Sequence, residues 1–218
     1  LGGATMVVGD STDLSTAFTG ACTYSAFTDL TPDDCGTGNS MGAGGKGVTA
    51  ALGYAFDSGF SLAGGVSSPQ SEILGEASAD IFGLEAAYSA DNYGLAVAYV
   101  TDDGGAGAET TTWGINGYYT PEGSLPSISV GYETSETSGT DSDGYFVGLT
   151  FPEVGPGSVN VAAATTGLFT DAQDEYLIYE ASYSYPVNDG MTITPGVFVQ
   201  ENPGEDETGI AVKTSFSF

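Results

Sequence analysis

The sequence contains no histidine and only two basic side chains, against 29 aspartates and glutamates in 218 residues, for a formal net charge of −27. Histidine is the side chain whose charge normally changes near neutral pH, so its absence excludes every acid–base mechanism that uses it. Nucleic-acid binding needs clustered lysines and arginines that displace counterions, and docking on anionic lipid headgroups needs the same charges. The composition therefore argues against a histidine-dependent enzyme, a nucleic-acid-binding protein and a protein that docks on anionic lipid.

Long hydrophobic runs are missing as well. The richest apolar run, from Val48 to Phe56, is about half of the roughly 18 consecutive apolar residues that a spanning helix needs. Carboxylate pairs could serve a glycosidase, but nothing in the sequence places two of them in a shielded pocket. We therefore expect no membrane-spanning helix, no enzymatic activity and no resident cofactor.

Only two cysteines are present, Cys22 and Cys35, with 12 residues between them in one polar segment. That spacing suits a local disulfide in an oxidising compartment, and closing so short a loop would contribute about 3 kcal/mol in the chain-entropy model. The alternative is a pair of free thiols, which are liabilities outside the cytosol. We predict the disulfide.

β-strand patterns dominate the chain from residue 46 onward. Stretches of about ten residues alternate apolar with small or polar side chains, and Gly, Pro, Asn or Asp bounds each stretch. If residues 3–8 form one more strand, the pattern predicts about twelve strands in a single domain over residues 1–218. Apolar side chains that share a strand face include Val48, Leu52 and Tyr54; Phe82, Leu84 and Tyr88; Ile128, Val130 and Tyr132; and Ile210, Val212 and Phe216.

The connections between these strands alternate in length. In an up-and-down meander this alternation would place every short turn at one rim, together with the C-terminus, and every long loop at the other. The insert over residues 10–45 belongs to the long-loop rim. The short turns are 57–59, 90–92, 121–126, 152–157 and 188–190, and the longer connections are 67–78, 102–108, 136–143, 166–174 and 202–207.

Two architectures fit such a meander, a soluble sandwich or barrel and an outer-membrane barrel. The second face of the strands carries mostly Gly, Ala, Ser and Thr with an occasional Glu, which cannot fill a dry core but suit a wet channel. Aromatic side chains concentrate near strand ends, as in membrane girdles, although ordinary aromatic enrichment in strands is the alternative. The sequence predicts an all-β, antiparallel up-and-down transmembrane β-barrel of the bacterial outer membrane.

Several motifs carry a family resemblance. The terminal segment ETGIAVKTSFSF resembles the C-terminal strand of bacterial outer-membrane proteins, in which Phe216 and Phe218 would form the signal read by the barrel-assembly machinery. The segments YTPEGSLPSISVGYE, FVGLTFPEVGPGS and YSYPVNDGMTITPGVFVQEN resemble cyanobacterial outer-membrane porins related to the carbohydrate-selective OprB-like family, especially those of marine picocyanobacteria. The GDSTDLSTAF region resembles a long loop of the same porins.

The resemblance implies passive diffusion of ions and small hydrophilic nutrients through a homo-oligomer, with a trimer favoured, embedded in outer-membrane lipid. It also implies a cell-wall anchor, a coiled coil and a barrel of about 16 strands, as in porins. We therefore expect this chain to be the C-terminal part of such a protein. The alternative is a surface-exposed structural β-protein that assembles with itself through unpaired strand edges.

Four charged residues are predicted on lumen-facing positions: Glu85, Glu133, Glu180 and Lys213. Rings of acid there would favour cations, and Lys213 could pair with Glu180 or another lumen acid. The alternative is that these are scattered, solvated wall residues. The insert over residues 10–45 is predicted to fold into the lumen as a constriction, with an extracellular lid as the alternative.

Acidic clusters in the loops could bind calcium or magnesium through their oxygens. None has the spacing of a complete EF-hand loop, and hydration of the loops explains the same residues. We expect no specific metal site. The clusters are Asp29, Asp33 and Asp34; Asp102 and Asp103; Asp141 and Asp143; and Glu205 to Glu207.

Overall fold

The computed structural model describes residues 3–28, 34–41, 47–69, 79–105 and 107–217. These residues form twelve strands, in agreement with the predicted number of about twelve. Among the described residues, no helix has the length and apolar character needed to cross a bilayer. The strands are β1 (Gly3–Thr12), β2 (Gly47–Ala55), β3 (Phe60–Ser68), β4 (Ile81–Ser89), β5 (Tyr93–Asp102), β6 (Thr110–Tyr119), β7 (Ser127–Thr137), β8 (Thr140–Val154), β9 (Gly157–Thr165), β10 (Leu177–Asn188), β11 (Met191–Gln200) and β12 (Glu207–Phe216).

All twelve strands belong to one sheet, in which each strand pairs antiparallel with its neighbours in sequence. The order runs from β1 to β12 without a crossover, so the sheet is the predicted antiparallel up-and-down meander. Among the described residues β1 pairs only with β2, and β12 pairs only with β11. The two ends of the meander are therefore free edges.

The strand register places the apolar side chains in continuous outward rows. Leu52 of β2 lies opposite Gly64 of β3, which lies opposite Leu84 of β4. Large apolar side chains on this face are exposed, including Met6, Leu52, Leu84, Trp113 and Ile210. Soluble monomers seldom expose a contiguous apolar surface of this extent, whereas the outer face of a membrane barrel contacts lipid. The exposed apolar face therefore favours the membrane barrel over the soluble sandwich.

The short and long connections lie at opposite rims, as predicted, with one exception. Residues 136–143, expected to be a long loop, mostly continue β7 and β8 as strands. A two-residue turn joins them at Ser138 and Gly139, both with positive φ, as twist-matched hairpin turns require. Polar side chains tolerate this extension because they pair across strands, as the hydroxyls of Thr110 and Thr137 do at 2.8 Å.

The insert also begins later than predicted, because β1 extends to Thr12. A register shift between Gly9 and Thr12 accompanies this end of the strand, where Ser11 has a φ of 60°. Two short helices follow, a 3₁₀ turn over Leu14–Thr16 and α1 over Gly38–Met41.

A charge on the outward face tests the lipid-facing assignment. Leu84 in the middle of β4 is 64% exposed, and Leu125 in the β6–β7 turn is 63% exposed. We expect Leu84→Arg to lower the free energy of unfolding in lipid vesicles by about 2–4 kcal/mol, because arginine near the bilayer midplane is costly. The matched control Leu125→Arg should cost only about 0–1 kcal/mol, as at an interface. Denaturant titration of both variants gives the comparison, and equal losses would contradict the assignment.

Candidate functional site

The described residues between β1 and β2 lie against the inner face of the sheet. Residues 13–28 and 34–41 are here called the inner segment. Its first part, 13–28, runs from β3 and β4 to β11 and is called the outward path. Its second part, 34–41, lies against β6 and β7 and is called the return path. On the outward path Leu14 and Phe18 lie over Gly83, and Phe27 lies over Gly196. The described part of the insert therefore lies against the inner face of the sheet, as the constriction hypothesis requires.

Glu180 of β10 holds the far end of the outward path. One carboxylate oxygen accepts hydrogen bonds from the Tyr24 hydroxyl at 2.9 Å and the Phe27 amide at 2.8 Å. The other accepts from the amide and the hydroxyl of Thr28, at 3.1 and 2.9 Å. The side chain is 4% exposed, and four donors replace the water it has lost. Burial and the charge of Glu180 raise the pKa of Tyr24 far above its ordinary value, so that hydroxyl remains a donor.

Glu133 of β7 holds the return path in the same way. Its oxygens accept from the amide and the side-chain nitrogen of Asn39, at 3.3 and 2.7 Å, and from the amide and the hydroxyl of Ser40, both at 2.6 Å. The carboxylate is 1% exposed. Hydrogen bonds to a buried charge are the strong kind, so the short helix α1 is fixed to the wall at this point.

Glu85 of β4 is a weaker anchor. One oxygen accepts a hydrogen bond from the Thr19 amide, while the other has no hydrogen-bond partner among the described residues. The side chain is nevertheless only 5% exposed. The three predicted glutamates thus lie on the inner face, and their carboxylates face the inner segment rather than open space.

Asn116 of β6 is an anchor that the sequence analysis did not single out. Its oxygen accepts from the Ala21 amide at 2.8 Å, while its nitrogen donates to the Thr37 hydroxyl at 2.8 Å and the Asp34 carbonyl at 3.3 Å. It therefore joins the outward and return paths of the inner segment. The available signal was an amide on the inward face of β6, between the small residues Gly114 and Gly117.

The predicted disulfide joins Cys22 to Cys35, with 5.8 Å between the Cα atoms. It ties the outward path to the return path. Cys35 is fully buried and belongs to an apolar cluster that includes Tyr24, Phe146 and Ile178. Tyr24 and Phe146 contact edge to face, with ring centroids 5.3 Å apart.

Glycines in the wall allow the inner segment to approach this closely. A Cβ at Gly131 would overlap the Cys35 carbonyl oxygen, and one at Gly114 would overlap the Ser40 hydroxyl. The interpretation of the small inward face as the wall of a wet channel is therefore incomplete. At these positions small residues leave room for a packed polypeptide.

A comparison with known protein families shows which family the chain belongs to. Residues 2–204 match the family model described as Gram-negative porin. The chain belongs to the Gram-negative porin family. It is accordingly an outer-membrane protein and a channel for solutes. A comparison with curated proteins found no relative.

Solved porin structures share the fold. A porin structure refined at 1.8 Å has 18% identity and a TM-score of 0.67, with 98% of this chain and 77% of that chain covered. The anion-selective porin from Comamonas acidovorans has 15% identity and a TM-score of 0.60, covering 78% and 59%. A mutant of the Rh. blastica porin has 17% identity and a TM-score of 0.58, covering 99% and 74%. At these identities the likeness shows the fold alone.

Lys213 of β12 lies on the inner face of the porin, opposite Thr194 of β11. It forms no ion pair with Glu180 or with any other described acid, because the oxygens of Glu180 face the inner segment. Phe216 points outward and is exposed, while Phe218 lies outside the described residues. The role of both phenylalanines in assembly stays a prediction.

The acidic clusters do not converge on a metal site in the described part of the porin. There, no three acidic or thiol side chains lie close enough together to hold a metal ion. Asp29 and Asp33 lie outside the described residues. Asp102 and Asp103 instead accept hydrogen bonds from the amides of Gly104 and Gly105, at 2.8 and 3.0 Å.

Substitution of Glu133 tests whether it anchors the inner segment. Glu133→Gln should accelerate amide hydrogen exchange at Ser40 by roughly tenfold or more, because the new amide nitrogen would meet donors where a charged acceptor stood. Mass spectrometry of peptides covering residues 36–41 measures this rate in the folded porin. The control is Glu136→Gln, an exposed position on the same strand. Equal exchange in the two variants would contradict the anchoring role.

Proposed function

We propose that this porin is a passive diffusion channel for ions and small hydrophilic solutes, that it prefers cations, and that the inner segment narrows its lumen. One observation carries the proposal: a segment fixed at mid-height across the inner face by buried hydrogen bonds to Glu133, Asn116 and Glu180. A loop lying only over the mouth would not need anchors on the inner wall. The mechanism is selection by width and wall charge, without covalent chemistry.

The preference for cations is supported by the charges of this chain. Acids outnumber basic residues by 29 to two, and Asp102 lines an inner-face cavity of about 360 Å³ near the long-loop rim, together with Thr112 and Ser135. A negative wall in a low-dielectric setting concentrates cations. Glu85, Glu133 and Glu180 add negative charge beneath the inner segment while they anchor it. One solved neighbour is named an anion-selective porin, so a shared fold leaves the sign of selectivity to the side chains.

The resemblance to cyanobacterial OprB-like porins adds carbohydrates to the proposed solutes. It also supports a homo-oligomer, with a trimer favoured, in which the outward apolar rows contact lipid or a neighbouring barrel. Mass measurement in mild detergent would separate a closed trimer from the open-ended ladder expected if the free edges of β1 and β12 drove self-assembly.

Ion selectivity is tested by conductance in planar bilayers. Under a KCl gradient we expect stepwise channels whose reversal potential lies on the cation side, and Asp102→Asn should move that potential toward zero. The control Asp189→Asn removes the same charge at the exposed β10–β11 turn and should move it less. A reversal potential on the anion side would contradict the cation preference. Silence of the folded porin would contradict the channel itself.

Release of the inner segment tests the constriction. The double variant Glu133→Gln/Glu180→Gln removes the negative charge that strengthens eight hydrogen bonds to the segment, and it replaces one acceptor oxygen at each site by an NH₂ donor. We expect a higher and noisier single-channel conductance, because the segment then moves away from its fixed position. Glu136→Gln serves as the control on the same strand. An unchanged conductance in the double variant would show that the segment does not limit the flow.

A further inference from the structure

A cavity of about 240 Å³ lies where the inner segment meets the wall formed by β9 to β12. Ser25 and Phe27 close it on the side of the segment. The wall contributes hydroxyl, amide and ammonium groups, and no carboxylate lines the cavity. The wall groups that matter here are those of Asn160, Ser182, Thr192, Lys213 and Ser215.

The charge of this cavity is opposite to that of the chain. Acids outnumber basic side chains by 29 to two in the sequence, yet the cavity contains one of the two lysines and none of the acids. Lys213 makes no ion pair within the described residues. Along β10 the next inward carboxylate is that of Glu180, whose oxygens already accept four hydrogen bonds from the inner segment. The ammonium group is therefore available to an anion.

The polar groups around Lys213 are also available. In the described part of the chain, the hydroxyls of Ser25, Ser182, Thr192 and Ser215 make no hydrogen bond to another residue. Asn160 uses its oxygen to accept from Thr150 at 2.8 Å, and its amide nitrogen donates to no described residue. Two further hydroxyls of the same cavity, those of Thr194 and Ser184, pair with each other at 3.2 Å.

The strand register brings these donors together. Lys213 lies opposite Thr194, and Ser215 lies opposite Thr192 one inward position nearer the short-turn rim. Ser182 of β10 lies opposite both Gly196 and Asn160. The ring of Phe27 over Gly196 closes the end of the cavity nearer mid-height.

We propose that this cavity binds a phosphate group, carried by inorganic phosphate or by a phosphate monoester. The oxygens of a phosphate group are negatively charged and mostly accept hydrogen bonds. They match an ammonium, an amide nitrogen and four hydroxyls that have no hydrogen-bond partner among the described residues. A neutral polyol would form hydrogen bonds with the hydroxyls, but it would not neutralise the positive charge of Lys213. A general cation preference and one anion-binding site are compatible, because the site binds only those anions that have entered the lumen. The inference rests on the proposed diffusion function only for the route by which the anion arrives.

Calorimetric titration of the folded porin in detergent micelles and phosphate-free buffer tests the site. Inorganic phosphate and glycerol 3-phosphate should bind saturably, and the tighter of the two identifies the source of the phosphate group. Lys213→Gln should weaken binding by roughly tenfold or more, because it removes the charged donor. The control Lys46→Gln changes the net charge by the same amount and should leave binding unchanged.

A second variant covers the case in which Lys213→Gln fails to fold. Ser182→Ala/Ser215→Ala removes two donors without changing charge and should also weaken phosphate binding. Glycerol, which lacks the anion, should not bind saturably. The inference is overturned if glycerol binds as tightly as phosphate, if no phosphate binding is saturable, or if the folded variants bind like the parent.

The two proposals fail separately, because binding in micelles does not depend on conduction. A porin that conducts but binds no phosphate would overturn this inference alone. A porin that binds phosphate through Lys213 but stays silent in bilayers would overturn the proposed function alone.

Discussion

The buried carboxylates of Glu133 and Glu180 need hydrogen-bond donors, because an unpaired charge shielded from water is costly. The strands around them cannot provide enough, since most strand amides already pair with neighbouring strands. The inner segment provides four donors to each carboxylate. Wall and segment therefore depend on each other: the carboxylates fix the segment, and the segment makes their burial tolerable.

Close packing holds the inner segment in one defined position against the wall. Glycines such as Gly131 and Gly148 leave space that a side chain would occupy, and Cys35 and Tyr24 fill it from the segment. The Cys22–Cys35 disulfide joins the two paths, so neither can move far without the other. In the proposed channel, the width of the lumen then follows from hydrogen bonds and packing at a few wall positions, and its charge follows from the acids left facing solvent.

Local patterns in the sequence predicted much of this architecture. Alternation with a period of two marked the strands, and Gly, Pro, Asn and Asp marked most turns, since both signals act within a few residues. The connection at 136–143 was misread because polar side chains resemble a loop in composition, whereas strand pairing uses the backbone. Asn116 was missed because its partners, Ala21 and Thr37, lie about 95 and 80 positions away in the sequence, respectively.

The sequence by itself determined the strands, their alternating faces, the two rims and the pairing of its only cysteines, because periodicity, turn chemistry and the number of cysteines are local or countable properties. Only the tertiary structure decided what the inward residues do. Glu133 and Glu180 became anchors. Within the part of the chain that the structure describes, one oxygen of Glu85 has no hydrogen-bond partner, and Lys213 lies near four hydroxyls that have none. These outcomes depend on which distant backbone donors reach each side chain, and such distances exist only after the segment has folded against the wall.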